Sequence, residues 1–179
     1  MPSALILYSS IDGHTIVICQ RLQTFLSERG HAVWLQEIRA CDEALLRAAD
    51  LVVIGASIRY GRHRPCVAAF MRQHQTLLEG KAHAFFSVNV VARKAAKNQP
   101  DTNPYLRKFL HQIGWRPALL DVFAGRIDYP RCSFIDRQMI RLIMWITKGP
   151  TDPLGVFEFT DWRRVEEFGQ RLATQLEVR

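Results

Sequence analysis

The sequence of 179 residues lacks the motifs that most directly identify several large classes of enzyme and binding protein. It has neither the GxxxxGK(S/T) loop typical of ATP-binding proteins nor the GxGxxG fingerprint of dinucleotide-binding proteins. Its four cysteines form no CxxC pair and no histidine cluster lies near them, so we expect no metal site and no redox dithiol. No Ser-His-Asp arrangement or pair of carboxylates marks a catalytic loop, as expected if a cofactor performs the chemistry.

Targeting and membrane-spanning signals are also missing. No basic segment followed by a long apolar stretch opens the chain, and no run approaches the roughly 18 apolar residues of a membrane span. We therefore expect a cytoplasmic protein. The net charge of +7 favours an acidic partner, which could be a nucleic acid, an anionic membrane or a carboxylated or phosphorylated ligand. Since no nucleic-acid recognition motif is present, we expect no nucleic-acid partner.

The first positive signal is an apolar strand that leads directly into a hydroxyl-rich loop and a helical pattern. The strand is predicted at residues 4–8 and the helix at residues 15–29. The pattern hydroxyl-x-x-x-Gly-x-hydroxyl between them resembles the phosphate loop of flavodoxins, whose ligand is FMN. Unpaired N–H groups and the dipole at a helix N-terminus attract an anion. The predicted phosphate-binding residues are Ser9, Ser10, Ile11, Asp12, Gly13, His14 and Thr15.

Two points about this loop stay open at the level of sequence. The same pattern also suits an ordinary strand-to-helix turn in which Asp12 or Thr15 caps the helix. His14 either adds positive charge beside a phosphate or faces solvent.

Apolar, strand-like runs alternate with helical patterns along the chain and form five β-α units. Continuous apolar runs between helices indicate strands buried on both faces, and therefore a parallel sheet. We predict an α/β fold, a flavodoxin-like doubly wound five-stranded parallel sheet of order 2-1-3-4-5, in a single domain of residues 1–179. The strands are predicted at residues 4–8, 31–38, 51–56, 82–88 and 117–124, and one intervening helix at residues 67–78.

One long segment, residues 125–159, does not fit the simple alternation. A loop of this length without secondary structure is uncommon in a compact domain, so we predict an insertion at about residues 126–155 with its own helix. That helix is predicted at residues 135–146 and is apolar over most of its girth, with Arg137, Arg141 and Lys148 adding positive charge. A strand at residues 156–159 is expected to rejoin the sheet.

The loops after strands one, three and four are expected to line the ligand crevice, because ligands bind beyond the carboxyl ends of such strands. Tyr60 suits stacking on a flavin ring. The predicted cofactor-binding residues beyond the first loop are Ala56, Ser57, Ile58, Arg59, Tyr60, Gly61, Ser87, Val88, Asn89 and Val90.

Positive charge is concentrated at the same crevice. Arg59, Arg62, His63 and Arg64 place four cationic or near-cationic groups within six residues. Arginine suits bidentate binding of a carboxylate, which favours anion recognition over a merely solvated loop. The candidate substrate-binding residues are Arg59, Arg62, Arg64, Arg93, Lys94 and Arg131.

Five segments together resemble one known family. YSSIDGHT, VVIGASIRYGRHR, FFSVNVVARK, TNPYLRKFL, and YPR followed by IDRQMIRLIMWITKG, are similar to the flavodoxin-type, menaquinone-dependent protoporphyrinogen IX dehydrogenases (oxidases) of bacteria. The resemblance spans nearly the whole chain. It implies FMN as cofactor, oxidation of protoporphyrinogen IX to protoporphyrin IX in haem synthesis, and transfer of electrons to a membrane quinone, menaquinone or ubiquinone.

The physical features of the chain agree with that implied reaction. The substrate carries two propionates, which the cationic loops suit, and the quinone is lipid-soluble. A basic insertion bearing Met and Trp suits an anionic membrane surface, so we expect a peripheral location on the cytoplasmic face of the inner membrane. Whether the inserted helix is a lid, a membrane contact or both stays open, as does a homo-oligomeric state.

Two rival functions are kept at this stage. An electron-carrier flavodoxin commonly presents an acidic face to its partners, which the basic charge of this chain disfavours. An NAD(P)H:quinone reductase would use the same flavin site with a different electron donor.

Overall fold

The computed structural model describes residues 1–178, in which helices cover both faces of a parallel sheet. The strands are β1 Ser3–Ser9, β2 Ala32–Glu37, β3 Leu51–Arg59, β4 Arg62–His63, β5 Ala82–Val88, β6 Leu119–Phe123, β7 Arg126–Asp128 and β8 Val156–Glu158. The helices are α1 His14–Ser27, α2 Glu43–Ala48, α3 Pro65–Gln73, α4 Gln75–Glu79, α5 Pro104–Ile113, α6 Phe134–Ile146 and α7 Trp162–Glu177.

The order of the parallel strands is β2-β1-β3-β5-β6, which is the predicted order 2-1-3-4-5 once the short β4 is set aside. Side chains alternate between two apolar cores: Leu5 and Leu7 face one core, whereas Ala4 and Ile6 face the other, which α1 and α7 cover. This alternation explains why the strands are apolar on both faces. The predicted flavodoxin-like fold is confirmed, and its central strands end side by side.

Strand β3 runs three residues beyond its predicted end at Ala56. It continues to Arg59, turns at Tyr60 and Gly61, and returns as β4, which pairs antiparallel with β3. Both turn residues have positive φ, 49° and 75°, as the tight two-residue hairpin turn requires. The segment predicted as a loop is therefore a hairpin.

The predicted helix at residues 67–78 is divided into α3 and α4. The break lies at His74, whose φ of −104° and ψ of 14° depart from helical values. The segment after β5 is also more ordered than a loop, because it contains the 3₁₀ turns Val90–Arg93 and Ala95–Lys97.

The long segment after β6 forms a substructure of its own. The predicted helix is confirmed as α6, but the prediction that residues 156–159 rejoin the main sheet is wrong. Strand β8 pairs antiparallel with β7 in a separate two-stranded sheet. Ile127, Tyr129 and Met144 form a small core under it, which gives the insertion apolar packing that the main sheet does not supply.

Candidate functional site

The loop between β1 and α1 has the backbone of an anion site. Gly13 precedes α1 with a φ of 85°, and no side chain caps the helix. The Ser10 hydroxyl oxygen instead accepts a hydrogen bond from the Gly13 N–H at 2.9 Å, which shapes the loop. Capping by Asp12 or Thr15 is therefore not observed, and the first-turn N–H groups point out of the helix without a side-chain acceptor.

Two buried hydroxyl groups in this loop have no hydrogen-bond partner in the described part of the chain. Ser9 and Thr15 are each 1% exposed, and neither Ser9 Oγ nor Thr15 Oγ1 has a partner within residues 1–178. An unpaired buried hydroxyl is costly, and such groups are rare unless a ligand satisfies them. The loop therefore has two unsatisfied hydroxyl donors beside a glycine-containing helix N-terminus, which fits a phosphate group.

His14 takes neither of the two roles left open from the sequence. Its Nε2 lies 2.6 Å from Thr160 Oγ1, and Thr160 donates its own hydrogen to the Ala124 carbonyl at 2.8 Å. Thr160 must therefore accept from an Nε2–H on His14. Burial lowers the pKa of His14, which keeps the ring neutral near pH 7. The side chain joins the loop to the segment before α7 and supplies no charge.

The register of the sheet brings the three predicted cofactor-binding segments together. Ser9 lies opposite Ala56, and Ala56 opposite Ser87, so that β1, β3 and β5 end at the same level. The side chains of Ala56 and Val88 are buried in the two cores and leave only backbone for a ligand. The Tyr60 ring is 59% exposed at the hairpin tip.

A buried polar network supports the end of β5. Asn89 Nδ2 donates to Ser87 Oγ at 3.1 Å, and Asn103 Nδ2 donates to Asn89 Oδ1 at 3.0 Å. Asn103 also caps α5, where its Oδ1 accepts from the Tyr105 N–H at 3.2 Å. Asn103 in front of Pro104 is a favoured type of helix-capping residue, whereas its contact with Asn89, 14 residues away, has no local sequence signal.

His63 belongs to the same network and is not a cation. Its Nε2 lies 2.9 Å from Ser87 Oγ, and its ring packs against Phe85 and Phe109. Burial lowers the pKa of His63 to about 4, so the ring is neutral near pH 7. The sequence-based interpretation that counted His63 with the arginines is wrong, because the hairpin turns the ring inward.

Two of the candidate substrate-binding arginines form polar contacts with the two ends of α6. Arg59 forms an ion pair with Asp136, which also accepts a hydrogen bond from the Tyr60 hydroxyl. Arg93 Nη2 donates to Thr147 at its hydroxyl, 2.9 Å away, and at its carbonyl, 3.2 Å away. Arg93 therefore stabilises the C-terminal end of α6, where carbonyl groups lack helical partners. In this conformation neither guanidinium is free for a ligand.

The remaining four candidate cations make no such contact with α6 in the described chain. Arg62 and Arg131 are exposed, and Arg64 and Lys94 are half-buried. No hydrogen bond or ion pair joins these four side chains to another residue of the described chain. Within the described residues, their charges are therefore not neutralised by an ion pair.

The comparison of the chain with known proteins identifies related sequences over nearly its full length. A family model described as a flavodoxin domain matches residues 5–153. A protoporphyrinogen IX dehydrogenase (quinone) from Escherichia coli K12 is 42% identical over 169 residues, covering 94% of this chain and 93% of that protein. A protein of the same name from Leishmania major is 40% identical over 173 residues, covering 96% of this chain and 75% of the relative.

Solved structures with the same fold are more distant in sequence. A flavodoxin from the domain Archaea superimposes with a TM-score of 0.55 at 15% identity, covering 98% of this chain and 99% of that one. Oxidised Flavodoxin 1 from Bacillus cereus gives a TM-score of 0.56 at 14% identity, covering 97% and 99%. These similarities show the shared fold.

Proposed function

Because this chain belongs to the family of flavodoxin-type protoporphyrinogen IX dehydrogenases, we propose that it oxidises protoporphyrinogen IX to protoporphyrin IX with bound FMN. It is an oxidoreductase, and its flavodoxin domain indicates a flavin cofactor. We further propose that the acceptor is a membrane quinone, menaquinone or ubiquinone, and that the reaction serves haem synthesis. The observation that carries the proposal is 42% identity over 93% of the E. coli relative, which bears that name.

The proposed FMN site uses residues that the fold already brings together. Ser9 and Thr15 have the unsatisfied hydroxyls that would donate to the phosphate, together with backbone N–H groups of the loop. Asn89, held by Asn103 and Ser87, and the exposed Tyr60 would contact the ring system. When bound, FMN supplies the acceptor for the hydride that the substrate loses.

The chain's own residues would bind and orient the substrate. The two propionates of protoporphyrinogen IX match Arg62, Arg64, Lys94 and Arg131, whose side chains have no ion-pair partner in the part of the chain that the structure describes. Placing carboxylates at these cations orients the macrocycle at the mouth of the flavin site. The exposed or half-buried positions of the four cations suit a large substrate that enters from solvent.

The purified protein should be yellow and its bound flavin should be reduced by protoporphyrinogen IX under anaerobic conditions. Subsequent addition of a quinone should restore the oxidised spectrum. Absorbance at the visible flavin bands measures both steps. Reduction by NADPH but not by protoporphyrinogen would identify an NAD(P)H:quinone reductase instead, and failure of both donors would favour an electron carrier.

The outer face of α6 supports the proposed contact with a membrane. An ordinary surface helix turns its charged side chains to solvent, but α6 turns two of its arginines toward the protein. Arg137 and Arg141 donate to the carbonyls of Tyr129 and Thr151, each at 3.0 Å. Trp145, 73% exposed, lies on the outer face. The other exposed apolar residues of α6 are Phe134, Ile135, Met139, Leu142, Ile143 and Ile146.

We propose that this outer face of α6 rests on an anionic bilayer, which places the protein peripherally on the cytoplasmic face of the inner membrane. The apolar side chains would enter the interface, while exposed Arg131 and Lys148 and the net charge of +7 attract anionic lipid. No helix within residues 1–178 has the length and apolarity needed to cross a bilayer. Such docking would bring the flavin site near a quinone dissolved in the lipid.

Replacing Trp145 and Ile146 together by serine should weaken binding to phosphatidylglycerol-containing vesicles at least about tenfold, because even partial burial of these two apolar side chains in the interface contributes more than about 1.4 kcal/mol. Vesicle co-sedimentation of the FMN-loaded protein measures this. Trp34→Ser, at a partly exposed tryptophan on the edge strand β2, is the matched control and should have little effect. If the double variant instead changes only a concentration-dependent dimerisation, the outer face of α6 is an interface between copies of the chain.

A further inference from the structure

The carboxylate of Asp136 links the inserted helix to the hairpin at the flavin site. It pairs with the Arg59 guanidinium and accepts hydrogen bonds from the hydroxyls of Tyr60 and Ser133, the latter at 2.7 Å. The Asp136 side chain is 15% exposed, whereas that of Arg59 is 44% exposed. Arg59 is therefore the more exposed member of the pair, and Asp136 is the more buried one.

The hairpin residue beside Arg59 indicates that this contact has a role beyond folding. Tyr60 has a φ of 49° at a turn position that favours asparagine, aspartate or glycine. A bulky aromatic residue in this conformation is strained, and such residues cluster at ligand sites. Its ring lies beside the Arg59 guanidinium, 5.6 Å from centroid to carbon, so the two side chains form one surface.

We propose that Asp136 is a specificity-determining residue: its carboxylate occupies Arg59 until a carboxylate of the substrate exchanges with it. The inference rests on the proposed function, because it takes the propionates of protoporphyrinogen IX as the incoming groups. The exchange replaces one carboxylate by another at the same guanidinium, so that the charge balance around Arg59 does not change. A ligand without a carboxylate forms no ion pair with Arg59, so the pair between Arg59 and Asp136 stays intact.

The surroundings of Asp136 keep the free-energy cost of separating it from Arg59 small. The Arg59 side chain is 44% exposed, so water can hydrate it when the pair opens, and an ion pair with one exposed partner is less costly to separate than a buried pair. When Arg59 leaves, the Asp136 carboxylate keeps its hydrogen bond from Ser133. It also stays in the first turn of α6, where the helix dipole stabilises a negative charge. Neither charge is left buried without a partner.

The test measures binding of protoporphyrin IX, which is not oxidised further, to the FMN-loaded protein by porphyrin fluorescence. Asp136→Asn should bind protoporphyrin IX about threefold more tightly than the unmodified protein, because Arg59 no longer has a competing charge. Binding of protoporphyrin IX dimethyl ester, which lacks free carboxylates, should not change. In the Arg59→Gln background, Asp136→Asn should have no effect on the affinity for the diacid.

Asp152→Asn is the matched control, because it removes the same charge from an exposed position of the insertion and should leave both affinities unchanged. Weaker or equal diacid binding by Asp136→Asn would overturn the exchange and make Asp136 a purely structural link. An equal gain for the ester, or a gain that persists without Arg59, would overturn it as well. If the unmodified protein binds neither porphyrin, the proposed function fails together with this inference.

Discussion

Removing the two buried hydroxyls of the phosphate loop, in the variant Ser9→Ala/Thr15→Val, should weaken FMN binding by about 100-fold or more. Each hydrogen bond to a charged group contributes about 1.5–3 kcal/mol, and this variant loses two of them. The same variant should leave the free energy of unfolding of the apoprotein unchanged or raise it. The reason is that both hydroxyls are buried without a partner in the described chain, so their removal relieves a desolvation cost.

Fluorescence titration of the apoprotein with FMN and urea unfolding of the same sample measure the two effects. Ser10→Ala is the matched control, because the Ser10 hydroxyl accepts from the Gly13 N–H at 2.9 Å and its loss should lower the stability of the apoprotein. An unchanged FMN affinity in the double variant would show that the hydroxyls do not face the phosphate. A less stable apoprotein would show that they have partners of their own.

Replacing Asp121 by asparagine should lower the free energy of unfolding by roughly 2–4 kcal/mol. Asp121 is 2% exposed on the edge strand β6, and it pairs with Arg164 and Arg171 of α7. Arg164 Nε donates to it at 2.9 Å. The variant leaves two guanidinium groups facing a neutral amide, and the partial exposure of Arg171 keeps the loss below that of a fully buried pair.

Urea unfolding measures the loss, with one dependence of the unfolding free energy on urea concentration fitted to all variants. Glu166→Gln is the comparison. Glu166 also connects α7 to another element through its ion pair with Arg21, but both side chains are about half-exposed, at 42% and 53%. That variant should lose less than about 1 kcal/mol. Similar losses of unfolding free energy in the two variants would show that burial does not make the Asp121 ion pairs more stabilising than the exposed Glu166 pair.

The main sheet was predictable because its signals are local. The apolar run at residues 82–88 coincides with β5, and the predicted helix at residues 135–146 coincides with α6 to within one residue. The end of β3 was missed because Tyr60–Gly61 is not among the usual hairpin-turn pairs, although its positive φ values are those of such a turn. The short segment Val-Phe-Glu-Phe at residues 156–159 likewise indicates a strand, observed as Val156–Glu158, but its sequence does not show which strand it pairs with.

The roles of the charged residues in the candidate site were less accessible. The sequence shows an arginine at position 93, but the acceptor at Thr147 lies 54 residues further along the chain. Arg59 and Asp136 are separated by 77 residues. Residue type and loop position therefore predicted a cationic crevice. The packing of the insertion decided which of these cations contact α6 and which do not.

Hydrophobic periodicity and glycine placement act over a few residues, so they were sufficient for the order of elements, the parallel sheet and the position of the loop between β1 and α1. Contacts between distant segments depend on how helices and strands pack, and packing has no short-range signature in the chain. The tertiary structure decided that the hydroxyls of Ser9 and Thr15 are buried without a partner among residues 1–178. It also turned the arginines of α6 inward and brought Asp136 to Arg59.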